Sequence, residues 1–139
     1  MKALKKEGFS YQDVISFGNM FLLGNGRYGY RGTLEEFRAK EMVGLNVLGF
    51  YDRFGDKWRE PINLPNPFYV LVSTENGERS LLKKEALHHE IILDLENALF
   101  QRKTEFEDID IISKRLLSQS DKDDLFCSYS IKAKQDTTI

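Results

Sequence analysis

Four of the chain's ten glycines, Gly24, Gly26, Gly29 and Gly32, fall within the single run LGNGRYGYRGTLEE at residues 23–36. Glycine adopts positive φ and lets backbones approach closely, so this density marks tight, specified turns. Arg27, Tyr28, Tyr30 and Arg31 sit between the glycines, where a flexible linker would carry serine and proline. The run is therefore a built element, and the rest of the chain reads as strands around it.

Gly24, Gly26 and Gly29 also spell G-x-G-x-x-G, the dinucleotide fingerprint. That motif works where a strand delivers the glycines to a helix N-terminus and an acid follows about 20 residues on. Here Tyr30-Arg31-Gly32 follows, a poor helix opening. Asp52 stands near the right distance, but among aromatics and glycines. No strand–helix alternation follows, so a structural turn is the expectation and a nucleotide-binding domain the weaker alternative.

The 139 residues suffice for one domain with a real core. A net charge of −2 gives no case for nucleic acid. Cys127 is the single cysteine, which rules out an internal disulfide and fits a reducing compartment. No run is long and apolar enough to span a membrane, and no apolar segment follows the N-terminal lysines as a secretory signal requires. A cytoplasmic protein is expected.

Residues 1–10 are basic and weakly patterned and read as an arm; residues 1–18 hold that arm and the first element. Residues 12–23 fit a strand or a short helix. Thr33-x-x-Glu36 has the form of a capping box, which predicts a helical turn at 34–40. Residues 42–51 read as a strand with Val43, Leu45, Val47 and Gly49 on one face. A turn around Gly55 follows, then an extended stretch over Pro61, Pro65 and Pro67. Residues 68–74 alternate as a strand, Asn76-Gly77 reads as a hairpin turn, and 79–82 as the returning strand.

The C-terminal third is the clearest. Strands are predicted at 89–93, at 98–107 with Phe100, Arg102, Thr104 and Phe106 on one face, and at 109–118 after a turn at Asp108. In the last, Leu125, Cys127, Tyr129, Ile131 and Ala133 alternate with polar residues and Phe126. Several short strands at this spacing predict an all-β fold, an antiparallel β-sandwich with at most one or two short helical turns.

His88-His89-Glu90 contains ligand types, but neighbours on a strand face opposite sides and cannot easily share an ion. Cys127 lies on an apolar strand face without a free histidine to pair with, so it reads as structural. Glu35-Glu36 and Asp121, Asp123 and Asp124 raise the question of glycosidase carboxylates, which must flank one bond. The alternative for Glu35 and Glu36 is a pairing with Arg31 that pins the glycine turns. Tyr51, Trp58 and Tyr69 fit either packing or a sugar-stacking platform.

The glycine run resembles the N-terminal signature of glycoside hydrolase family 65, a Leu-Gly-Asn-Gly-x-x-Gly-x-Arg-Gly pattern followed by Glu-Glu. The matching residues are Leu23, Gly24, Asn25, Gly26, Gly29, Arg31, Gly32, Glu35 and Glu36. Further segments appear in family order: Gly49-Phe50-Tyr51-Asp52, Ile62-Asn63-Leu64-Pro65-Asn66-Pro67, Leu93-Asp94-Leu95 with Arg102, and 111–118 with Lys114-Arg115. The family includes maltose, trehalose and kojibiose phosphorylases and some α-glucoside hydrolases. The resemblance, over about residues 19–133, implies that 19–139 is the first part of the N-terminal β-sandwich, part of a supersandwich of the galactose mutarotase type.

The resemblance implies an inverting enzyme for an α-linked glucose disaccharide, with phosphate as nucleophile in phosphorolytic members. Its general acid is a Glu of a downstream helical barrel, which is expected to lie outside this chain. No catalytic residue, cofactor or metal is expected here. Gly24, Asn25, Gly26, Gly29, Arg31, Gly32, Glu35 and Glu36 form a structural motif in a domain that supports the barrel and subunit contacts, and a homo-oligomer is expected. The alternative is a free-standing carbohydrate-binding module.

Overall fold

In the computed structural model, which describes residues 2–56, 58–136 and 138–139, the chain opens with strand β1 (Ala3–Glu7). Helix α1 (Val14–Met20) follows and turns Val14 and Gly18 into the core. The glycine run then forms a hairpin of β2 (Leu23–Gly24) and β3 (Tyr28–Tyr30). A 3-10 turn at Ala39–Glu41 precedes β4 (Leu45–Phe54) and β5 (Trp58–Leu64). β6 (Ser73–Thr74) and β7 (Gly77–Glu78) make a minimal hairpin. The last strands are β8 (His88–Asp94), β9 (Leu99–Glu105), β10 (Ile109–Leu117) and β11 (Leu125–Ala133).

Five strands in the order β1-β8-β9-β10-β11 form one antiparallel sheet, and β2-β3-β4-β5 form another. Strict alternation in β8, β9 and β10 sends every second side chain inward. Phe100, Ile109 and Ile111 from the first sheet join Leu23, Tyr30 and Leu45 from the second in one apolar cluster, with Phe21 beside them. This is the all-β sandwich that the alternation predicts, with one seven-residue helix among the described residues.

Several boundaries differ from the sequence expectation. Residues 3–7 are not a frayed arm, because β1 pairs with β8 from Ala3↔Asp94 to Glu7↔Glu90. The ambiguous 12–23 stretch resolves into α1 and the start of β2. Met42, in the left-handed region at φ 52°, closes the 3-10 turn, so β4 starts only at Leu45. β4 also runs on to Phe54, past a register shift between Asn46 and Tyr51 where Gly49 takes φ 89°.

The alternating residues 68–74 are mostly not strand. Asn66 holds that segment instead: its Oδ1 accepts from Phe68 N and its Nδ2 donates to the Leu34, Glu35 and Phe37 carbonyls. The β6–β7 turn is Glu75-Asn76, with Gly77 following at φ 96°.

Candidate functional site

Beneath the glycine run lies a polar lattice enclosed between the two sheets. Arg102 enters from β9 and Arg115 from β10, both at inward-facing positions and both about 1% exposed. Glu35 and Glu36 come down from the loop after β3, 0% and 5% exposed.

Arg102 Nη1 donates to Glu35 Oε2 at 2.9 Å and also to Glu36 Oε2. Its Nη2 donates to Glu36 Oε1 at 2.9 Å, and its Nε to Thr104 Oγ1 at 2.8 Å. The fork geometry of guanidinium matches these carboxylates as a lysine ammonium would not. Glu35 Oε1 accepts from Ser113 Oγ at 2.7 Å and lies 3.6 Å from Arg115 Nη1.

Arg115 is held by faces as well as edges. Its guanidinium carbon stands 4.0 Å from the Phe100 ring centroid and 4.8 Å from that of Tyr30. Nη2 donates to the Thr33 carbonyl and Nη1 to Tyr30 Oη. Tyr30 Oη in turn donates to Asn66 Oδ1 at 2.5 Å.

The electrostatics follow from enclosure. Burial pushes the Glu35 carboxyl up, but Arg115 and Arg102 with the Ser113 hydroxyl outweigh it, and its pKa is held below the ordinary value. Burial opposes charge on Arg102 too, and Glu36 and Glu35 overcome it, so its pKa is raised. Two carboxylates and two guanidiniums balance. His89, bonded through Nδ1 to Thr104 Oγ1 at 2.9 Å, is pushed down to about 3, first by burial and then by Arg102. Thr104 Oγ1 already accepts from Arg102, which leaves its hydrogen for His89.

The structure corrects one expected pairing. Arg31 does not reach Glu35 or Glu36; its Nη2 donates to the Ile15 carbonyl at 2.7 Å. A Cβ on Gly18 would lie 2.5 Å from that Nη2, and one on Gly44 2.7 Å from Arg31 Cδ. Two glycines thus clear the path of this side chain. A Cβ on Gly32 would overlap Phe21. The Thr33–Glu36 capping box is also absent: Thr33 Oγ1 is buried without a hydrogen-bond partner, and Glu36 turns to Arg102.

Gly24 ends β2, Gly26 takes φ 84° in the hairpin turn, and Gly29 lies in β3. The last glycine of the G-x-G-x-x-G spacing sits inside a strand, and no helix opens after it. Asn25 uses all its polar capacity: Oδ1 accepts from Arg27 N at 3.0 Å and Tyr28 N at 2.8 Å. Nδ2 donates to the Ser118 carbonyl at 2.9 Å and the Lys122 carbonyl at 3.1 Å. Asn25 therefore ties the glycine hairpin to the β10–β11 turn.

Other candidates are kept apart. His88 and His89 take opposite sides of β8, the first half-buried and the second buried. Cys127 is half-buried on β11, in register with Arg115. Tyr69 lies under the Arg38 guanidinium, 4.7 Å from ring centroid to carbon. Tyr51 and Trp58 are half exposed on β4 and β5. Asp123 pairs with Arg27 at 2.9 Å, a surface contact.

The role of Arg102 and Arg115 as partners of the two acids escaped the sequence reading. The signal was present: each stands at an inward position of an alternating strand, where a charge requires a buried partner. As arranged, Glu35 is held by Arg102 and Ser113 beside Arg115, and Glu36 by Arg102 and the Leu81 N–H, both buried.

The profile described as Glycosyl hydrolase family 65, N-terminal domain, matches residues 4–139. Nigerose phosphorylase of Lachnoclostridium phytofermentans is 36% identical over 98% of this chain, which spans 19% of that protein. Kojibiose phosphorylase of Caldanaerobacter subterraneus subsp. tengcongensis is 33% identical over 66% of this chain and 12% of its own length. A solved structure from the human microbiome, assigned as a kojibiose phosphorylase, superposes with TM-score 0.85 at 25% identity, covering 95% of this chain and 20% of that one. The chain thus spans 12–20% of the length of these relatives, and it belongs to glycosyl hydrolase family 65 as that family's N-terminal domain.

Proposed function

We propose that the whole protein is an inverting enzyme for α-linked glucose disaccharides, a phosphorylase or a related hydrolase. Residues 1–139 are its non-catalytic opening part. The observation that carries this reading is the family match over residues 4–139, with relatives named for nigerose and kojibiose phosphorolysis. In this reading the catalytic acid and the sites for phosphate and disaccharide belong to a helical barrel downstream in the same polypeptide.

The motif residues Gly24, Asn25, Gly26, Gly29, Arg31, Gly32, Glu35 and Glu36 then have structural roles. They hold residues 19–139, with β1 and α1 joined to them, in one sandwich that supports the barrel and subunit contacts. The enzyme works in the cytoplasm as a homo-oligomer, a reading supported by one free thiol and by β11 at a sheet edge.

The test is direct. Residues 1–139 are incubated with maltose, trehalose, kojibiose and nigerose, with and without phosphate. No glucose or glucose 1-phosphate appears above a buffer control, whereas a polypeptide extended through the barrel releases glucose 1-phosphate in phosphate. Release by residues 1–139 alone overturns the non-catalytic assignment.

A further inference from the structure

Asparagine followed by glycine occurs twice in the chain, at Asn25-Gly26 and at Asn76-Gly77. Asparagine is thermolabile, and a following glycine has no Cβ to shield its backbone nitrogen from the carboxamide. The two glycines offer the same ground. Gly26 takes φ 84° and Gly77 φ 96°, and the space where a Cβ would stand is open at both. What separates the two sites is the asparagine.

Asn25 is 4% exposed, and its carboxamide makes four hydrogen bonds, two accepted by Oδ1 and two donated by Nδ2. Its Cγ cannot turn toward Gly26 N without breaking them. Asn76 is exposed in the β6–β7 turn, and its carboxamide meets no partner among the described residues. Its backbone, by contrast, is held. The N–H donates to Thr74 Oγ1 at 3.3 Å, and the carbonyl accepts from Arg79 Nη1 at 3.0 Å. That carbonyl and the Gly77 nitrogen belong to one peptide unit. A guanidinium donating to the oxygen draws charge from the unit and eases loss of the Gly77 amide proton. Arg79 is 2% exposed and is fixed by Asp108, Nε to Oδ1 at 2.7 Å and Nη2 to Oδ2 at 2.6 Å, so the donor stays in place.

We propose that Asn76 is a site of self-modification, deamidating through Gly77 in the folded chain while Asn25 stays intact. The Gly77 nitrogen attacks Asn76 Cγ. An N–Cγ bond forms, the Cγ–Nδ2 bond breaks, and ammonia leaves carrying the proton that the Gly77 nitrogen gives up. Water then opens the cyclic imide at either carbonyl, giving aspartate or isoaspartate, and nothing is oxidised or reduced. Either product sets a new carboxylate close to Arg79. The iso product also lengthens the main chain by one atom inside a hairpin of two-residue strands, which displaces the Ser73↔Glu78 pairing.

The chain is aged in mildly alkaline buffer, one sample native and one in urea, and digested with trypsin. Cleavage after Lys6, Arg27, Arg59 and Arg79 puts Asn25 and Asn76 on different peptides, each read by mass spectrometry for exchange of NH2 for OH. In the native sample Asn76 converts, and Asn25 converts about a hundredfold more slowly or less, because its four hydrogen bonds must open first. In urea the two convert at similar rates. Isoaspartyl methyltransferase labels the aged native chain, and Asn76→Gln removes the label. A native chain whose Asn76 stays intact while the urea sample converts overturns the proposal, as does conversion of both asparagines at similar rates in the native sample. A label that persists in Asn76→Gln also overturns it, assigning the reaction to another residue.

Discussion

Arg102 and Glu36, 66 residues apart, meet as a buried two-pronged pair that joins β9 to the loop after β3. The same guanidinium holds Glu35, so one side chain fixes both acids of the glycine run. Removing one member of such a lattice leaves an uncompensated charge, which is far worse than the net worth of the intact pair.

Arg102→Met therefore costs about 3–5 kcal/mol of stability at pH 7. Without the guanidinium, burial drives a carboxyl toward its protonated form, so the deficit shrinks as pH falls. Urea unfolding at pH 7 and pH 5 checks both statements. A deficit that is equal at the two pH values contradicts the buried-charge account.

His89 gives the wild-type chain its own pH dependence. Its pKa is about 3 in the fold and about 6.5 when unfolded. Between those values the unfolded chain binds the extra proton, so stability falls as pH drops below about 6.5. The limiting slope is about 1.4 kcal/mol per pH unit. Glu35, with its lowered pKa, adds a further loss only below its unfolded value near 4.3. His89→Gln flattens the pH 7 to 5 segment of the urea-midpoint curve. A variant that keeps the wild-type slope places that proton elsewhere.

Asn25 is isosteric with aspartate, and that makes it separable. Asn25→Asp keeps the acceptor for Arg27 N and Tyr28 N but turns a carboxylate oxygen toward the carbonyls of Ser118 and Lys122. A loss of about 1–3 kcal/mol follows at pH 7. It lessens below pH 4, where the protonated acid can donate again. Thermal unfolding across that range is the measurement.

What the sequence disclosed was what local pattern controls. Alternation in β8 to β11 and the turn at Asp108 were legible because period-two burial is written residue by residue. The β1 strand was not, since its basic residues gain a sheet only through β8, more than 80 positions away. The motif acids were legible as important, but their partners were not. The guanidinium–carboxylate match that suggests Arg31 as the partner holds equally for Arg102, and only the fold brings Arg102 to the acids. The irregular 68–74 stretch failed because Asn66 side-chain bonds outcompete the ladder that its alternation suggests.

Arg31 remains an anchor, though of α1 and not of the acids. Lysine lacks the planar group that passes against Gly18 and Gly44 and donates through Nη2 to the Ile15 carbonyl. Arg31→Lys costs about 1–3 kcal/mol, and Gly32→Ala a similar amount by overpacking against Phe21. An unchanged urea midpoint in both variants would mean that this corner yields freely.

β11 closes one edge of the five-stranded sheet, pairing with β10 from Leu125 to Ala133. Its inward side chains Leu125, Cys127, Tyr129 and Ile131 are only half-buried, so the facing sheet leaves them incompletely covered. An edge strand offers a row of free N–H and C=O groups that templates another strand. Lys132 and Lys134 stand at one end, and no proline interrupts the middle. Residues 1–139 are therefore expected to self-associate through β11 with rising concentration. Ser128→Lys/Ser130→Lys, on the exposed face, sets like charges against each other across such a contact and returns the chain to a monomer. Light scattering over a concentration series decides it. A wild-type monomer at every concentration removes β11 as an association edge, and a variant that associates as the wild type does moves the contact to another surface.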